Sequence, residues 1–142
     1  ENSYCEQDAR TENSMRGLID LAIEETNTAY SKSGIMVELF LVYANRTDYS
    51  EQPYPSSTGN SFSRALYGLR KDGDGIMDDV HTIRDNVGAD VVALLIGDGK
   101  YCGLGFIGPR EDLAFSVTNF DCATGYFSFG HEIGHNLGCN HD

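Results

Sequence analysis

The sequence predicts an α/β domain (α+β in the looser sense), a sheet with parallel members under helical cover. Three observations predict it. Two apolar stretches, IMVELFLVYA at residues 35–44 and ADVVALLIGD at 89–98, are rich in strand formers. Segments with helical spacing stand before and between them. The chain has 142 residues, enough for one domain with a real core. Helices alternating with apolar strands bury both sets of apolar faces when they layer on one sheet.

Residues 1–11 are polar, lack an apolar period and read as an arm. From Glu12 to Ser33 the spacing turns helical, with Met15, Leu18, Ala22, Thr26 and Tyr30 on one face and Gly34 as the stop. Residues 35–44 read as a strand. Val37, Leu39, Leu41 and Tyr43 share one face; Met36, Phe40 and Val42 share the other with Glu38. Both faces are largely apolar, so cover is expected on both sides. Residues 50–61 hold two prolines, a glycine and small polar residues, which is a surface loop.

A short helix follows, with Phe62, Ala65, Leu66 and Leu69 inward. Another runs from Met77 to Val87, with Val80, Ile83 and Val87 inward. Residues 89–98 are expected to be a central strand because the run is continuously apolar. YCGLGFIG, residues 101–108, carries three glycines among apolar residues. That suits an edge where another backbone comes close. Phe115 to Phe120 is a further strand, and the last helix is expected from Thr124 to Leu137.

The formal net charge of −12 argues against nucleic acid and anionic membranes as partners. No apolar run approaches membrane-spanning length. No signal peptide stands at Glu1, so the chain is expected to be a cytosolic product or an already processed one. The four cysteines, Cys5, Cys102, Cys122 and Cys139, form no Cys-x-x-Cys pair. Two disulfides and an oxidising compartment are the expectation. Cys102 and Cys122 flank the glycine-rich edge and the following strand, which would leave Cys5 to pair with Cys139; an alternative makes Cys5 a thiol that caps a metal in a latent form. KDGDGIMDDV offers Asp72, Asp74, Asp78 and Asp79 as hard ligands for calcium. Its spacing misses the EF-hand loop, and the competing reading is a helix N-terminus capped by Asp74 or Asp78.

The sequence ends in HEIGHNLGCNHD, residues 131–142. On a helix, His131 and His135 stand one turn apart and point the same way. Phe127 falls one turn earlier on that face, and Phe129, Ile133 and Leu137 fall on another that anchors the core. Gly130 and Gly134 cost helix stability, about 1 kcal/mol each, and leave room for a neighbouring element. Gly138 can take positive φ and turn the chain, which brings His141 back as a third ligand. Three histidines leave a fourth position of a tetrahedral zinc open, the arrangement of a catalytic site. Glu132, beside the first histidine, is free to act as general base.

At these residues the sequence resembles the metzincin metallopeptidases, whose motif is His-Glu-x-x-His-x-x-Gly-x-x-His with a distinguishing residue after it. Asp142 in that position looks like the adamalysin or reprolysin group. CATGYFSFGHEIGHNLGCNHD and MDDVHTIRDNVGADVVALLIGDGKYCGLGFIG look like the peptidyl-Asp metalloendopeptidase type. The resemblance implies one Zn2+ on His131, His135 and His141, with Glu132 as base. It implies a twisted, mostly parallel sheet with one antiparallel edge strand above the cleft. Gly103, Leu104, Gly105 and Phe106 would lie on that edge and bind an extended polypeptide substrate by backbone pairing. Secretion and a zymogen form are implied too. Residues 1–142 would form one catalytic domain, with residues 12–142 as its upper subdomain and active-site helix. The family's methionine-containing turn and lower subdomain are absent after Asp142, so a missing C-terminal segment or pro-segment is expected as a partner. The expected function is a secreted zinc endopeptidase, monomeric; the alternative is an inactive zinc-binding module of the same fold.

Overall fold

The structure is a computed structural model that describes residues 9–51, 61–97 and 101–141. Its elements run α1 (Ala9–Lys32), α2 (Ser61–Arg70), α3 (Asp79–Val87), β1 (Val92–Ile96), β2 (Gly103–Gly105), β3 (Phe115–Asn119) and α4 (Ser128–Asn136). Short 3-10 turns at Glu111–Leu113 and Phe120–Cys122 bracket β3. The sheet order is β1-β3-β2, with β1 parallel and β2 antiparallel to β3. The α/β class and the antiparallel glycine-rich edge agree with the sequence. Among the described residues no helix is long and apolar enough to cross a membrane.

The register assigns each side chain to a layer. Val92, Leu94 and Ile96 pair with Phe115, Val117 and Asn119, and Leu104 pairs with Val117. Paired residues share a face. The apolar members of this set pack with Phe62, Ala65, Leu66 and Leu69 of α2 into one core cluster, as the helical spacing of α2 predicts. The opposite face carries Gly103, Gly105, Ser116 and Thr118 beside Leu95. These small residues let α4 press close to the sheet. Behind α4 lies α1, whose Ala22 joins Phe129 and Ile133 in a second cluster. The approach is tight at Gly130, where a Cβ would meet Thr26 Oγ1 at 2.8 Å. Tyr30 crosses the same contact, its hydroxyl donating to the Gly130 carbonyl at 2.7 Å. Burial, helped by the neighbouring Cys139, pushes the Tyr30 phenol up to about 12.

Several expectations are corrected. Residues 9–11 are helix, not arm; residues 1–8 lie outside the described residues. The central strand is β3, with all five residues buried, while β1 flanks it and leaves Ala93 exposed. Residues 35–44 enter no ladder. The Asn27 side chain takes both backbone groups of Leu39, accepting its N–H at 2.7 Å and donating to its carbonyl at 2.9 Å. Cover is slight: Leu39 packs on the α1–α4 cluster, while Val37 and Tyr43 of its own face stand exposed along with Met36, Phe40 and Val42 of the other.

The last helix starts at Ser128, because Phe127 takes φ 58° and breaks the chain direction just before it. Phe127 therefore belongs to no helix face, and Leu137 is exposed beyond the helix end, which leaves Phe129 and Ile133 as the anchors.

In the aspartate loop, the Asp78 carboxylate accepts the N–H groups of Gly73, Asp74 and Gly75 at 2.9, 3.2 and 2.9 Å. It closes the loop on itself, and it makes no capping bond to α3. Cys102 and Cys122 are joined, tying the start of the β2 edge to the turn after β3. Cys139 is an exposed free thiol, and Cys5, the partner expected for it, lies outside the described residues.

Candidate metal centre

The centre is built on α4 and the turn that ends it. His131 and His135 project from successive turns of the helix, His131 exposed and His135 buried. The chain then reverses at Gly138, whose φ of +101° is one that side-chain-bearing residues rarely adopt. The reversal is fixed by the Gly138 N–H on the His135 carbonyl at 2.9 Å and the Cys139 N–H on the Gly134 carbonyl at 3.0 Å. The paired bonds go to carbonyls at the helix end, where no further turn follows to satisfy them. From the other side, the Gly108 N–H also reaches the His135 carbonyl, at 3.0 Å.

This turn returns His141 to the helix. Its Nε2 lies 3.0 Å from His131 Nε2 and 3.1 Å from His135 Nε2. Among the described residues, these three form the one cluster of side chains able to hold a metal ion. The donor set fits zinc: imidazole nitrogens about 2.0–2.1 Å from a tetrahedral ion stand a little over ~3 Å from one another. The Nδ1 of His135 is 2.8 Å from the Cys139 carbonyl. Donation from Nδ1–H fixes the tautomer and leaves the Nε2 lone pair for a metal. Desolvation first, then the neighbouring His135 and His141, lowers the pKa of His131, which favours the neutral, ligating form.

Glu132, the residue after His131, lies against the edge strand. It is buried between α4 and β2, with 6% of its surface exposed. Burial raises its carboxyl above the usual range, against the lowering effects of His135 and of a hydrogen bond from the Gly105 N–H. One turn on, Asn136 Nδ2 lies 2.9, 3.0 and 3.0 Å from the carbonyl oxygens of Phe106, Leu113 and Phe115. Asn136 thus clamps the metal helix to the end of the β2–β3 ladder. Sequence reasoning missed it, although its position four residues after Glu132 puts both on the face of α4 that meets the edge strand. Asp142 lies outside the described residues.

The profile of the Metallo-peptidase family M12B Reprolysin-like matches residues 18–142. The chain belongs to the reprolysin-like M12B metallopeptidases. It is 43% identical over 129 residues to the peptidyl-Asp metalloendopeptidase of Stenotrophomonas maltophilia strain R551-3, covering 90% of this chain and 29% of that protein. Proteins of the same name from Xanthomonas campestris pv. campestris and Pseudomonas aeruginosa PAO1 are 40% and 35% identical, over 90% and 84% of this chain and 29% and 20% of theirs. The chain thus spans less than a third of the length of these relatives. No solved structure matches it. Family membership implies a metal, and the histidine cluster is able to hold one.

Proposed function

We propose that the chain carries the metal centre of a zinc endopeptidase, with His131, His135 and His141 as ligands and Glu132 as general base. The observation that carries the reading is the convergence of three Nε2 atoms, 3.0 and 3.1 Å apart at His141, on a helix whose next residue is a buried carboxylate. A bound zinc would supply Lewis acidity, polarising the scissile carbonyl and making water acidic enough to attack at neutral pH.

The protein's own groups do the rest. Glu132 takes a proton from the attacking water and returns it to the leaving amine. Burial holds its carboxyl above the usual range, and a carboxyl group in that place is able to accept a proton and to release it. An extended polypeptide pairs with β2, whose outer edge has no strand beside it among the described residues. Its side chains at Leu104 and Phe106 are turned into the α2 core, so backbone groups make this contact. The Cys102–Cys122 bridge supports an extracellular, oxidising setting and a fixed edge. The acidic balance supports solubility without nucleic-acid partners.

The test is bound metal and peptide hydrolysis measured on one sample, with a mixed peptide library and the Glu132→Gln variant beside the wild type. The expected result is one zinc per chain in both and cleavage in the wild type alone, the variant losing at least about 100-fold. Zinc without cleavage in the wild type would leave a metal-binding module and overturn the peptidase reading.

A further inference from the structure

The edge strand has a feature that substrate pairing does not require: two glycines, Gly103 and Gly105, on the face that meets α4. Strand interiors disfavour glycine, and its presence commonly marks a close approach by another group. Here that group is Glu132. A Cβ on Gly103 would lie 2.6 Å from Glu132 Cγ, 2.6 Å from Oε1 and 2.8 Å from Cδ. A Cβ on Gly105 would lie 2.8 Å from the Glu132 carbonyl oxygen and 3.2 Å from Oε2. Non-bonded carbon contacts normally stand at about 3.5–4.0 Å. The side chain of Glu132 occupies the volume that two missing side chains leave.

The ladder adds a second restraint. Asn119 donates to the Cys102 carbonyl at 2.9 Å, and Phe106 donates to the Phe115 carbonyl at 3.3 Å. In an antiparallel pair the direction of the backbone groups alternates, so those of Gly103 and Gly105 turn away from β3. The Gly105 N–H is then free for the Glu132 carboxylate, which accepts it. Steric room and a directed donor act on the same carboxylate.

We infer that Gly103 and Gly105 are positioning residues: together they form a slot in the edge strand that fixes the carboxylate of Glu132 in its working place. The inference rests on the peptidase reading above. The room that the absent side chains clear toward α4 is separate from substrate pairing, which uses the outward backbone groups of the same strand other than the Gly105 N–H given to Glu132. The two positions differ in what a side chain would strike. At Gly103 it strikes the movable end of Glu132, so the carboxylate yields and the backbones stay. At Gly105 it strikes helix backbone, so α4 itself must shift.

Gly103→Ala is therefore the deciding variant, measured on the metal-loaded protein beside Gly105→Ala and Glu132→Gln. Gly103→Ala should keep its fold and one metal per chain. Its kcat should fall about 100-fold, the scale of a misplacement near 1 Å, with KM within about twofold. In a Glu132→Asp background, whose side chain is one methylene shorter, the same substitution should cost less than about threefold, because the two changes act on one volume. The Gly105 amide resonance in a proton–nitrogen spectrum should move in Gly103→Ala and in Glu132→Gln. Gly105→Ala should lose thermal stability before anything else.

Wild-type kcat in Gly103→Ala, or a Gly105 amide that ignores both variants, would overturn the slot. So would a Gly103→Ala protein that loses metal or unfolds, since the role would then be structural. If the wild type cleaves no peptide, the peptidase reading fails, and the amide resonance alone decides whether the slot holds the carboxylate.

Discussion

Two extended regions of this chain invert what their compositions favour. Residues 35–44 are rich in strand formers, yet they join no ladder and leave Met36 fully exposed and Phe40 at 73% exposure. Gly103–Gly105 has two residues that weaken strands, yet it pairs with β3 in full register. The difference lies in partners. β2 meets a buried strand on one side and a buried carboxylate beneath, and its backbone is held at its two ends by the Cys102–Cys122 bridge and the Asn136 clamp. Among the described residues the 35–44 segment has no strand beside it and is held by the Asn27 side chain, the Tyr30 carbonyl and the packing of Leu39 on the α1–α4 cluster. Strand propensity measures fit to a pleated, half-buried surface, and it acts where neighbours exist to be fitted.

Mutations that break this contrast range widely in size. Phe115, 1% exposed at the head of β3, supports both the sheet pairing and the α2 core. Phe115→Ala should lower unfolding free energy by about 3–5 kcal/mol in denaturant titration. Asn136→Ala should cost about 1–3 kcal/mol by stranding carbonyls that the Asn136 amide now satisfies, and hydrogen exchange should quicken at the far end of β2. Asn27→Ala should cost about 0.5–1.5 kcal/mol and free the Leu39 amide to exchange, without touching β2.

A smaller effect, on the acid side only, is expected at Asp78. The N–H of Gly75 above all, with those of Asp74 and Gly73 and with His81, holds its carboxyl below the usual range against desolvation. A lowered folded-state pKa contributes stability that is present above the ordinary carboxylate pKa and lost as pH falls through the lowered one. Asp78→Asn should flatten the acid limb of a melting-temperature profile and leave its neutral-to-basic shape alone. Smallest of all, Phe40→Ser should change stability by less than about 0.5 kcal/mol, because the side chain is already in solvent. A loss of several kcal/mol there would mean the segment is covered in the folded protein.

Much of the candidate site is legible in the sequence because it is local. The spacing of His131, His135, Gly138 and His141 fixes a helix, a stop and a return within eleven residues, and helix geometry needs no distant information to bring the three nitrogens together. The face of α2 is legible for the same reason: Phe62, Ala65, Leu66 and Leu69 repeat at helical steps and are all buried. What could not be read depends on pairing across the fold. That Gly103 and Gly105 lie over Glu132 follows from the register of β2 on β3 and the phase of α4. That Asn136 meets three carbonyls follows from where the Glu111–Leu113 turn closes. The position of β3 as the central strand was hidden by Ser116 and Thr118, polar residues on the buried face where α4 demands small side chains. An uninterrupted apolar run, as in β1, pointed to the wrong strand for that place.

The central claim is that three imidazoles, and no thiolate, hold one metal beside Glu132. X-ray absorption at the zinc edge tests it most directly on the zinc-loaded protein. The account predicts three imidazole nitrogens at about 2.0–2.1 Å, a light oxygen scatterer in the remaining position and no sulfur. A sulfur scatterer at about 2.3 Å would make Cys139 a ligand and contradict the site as drawn.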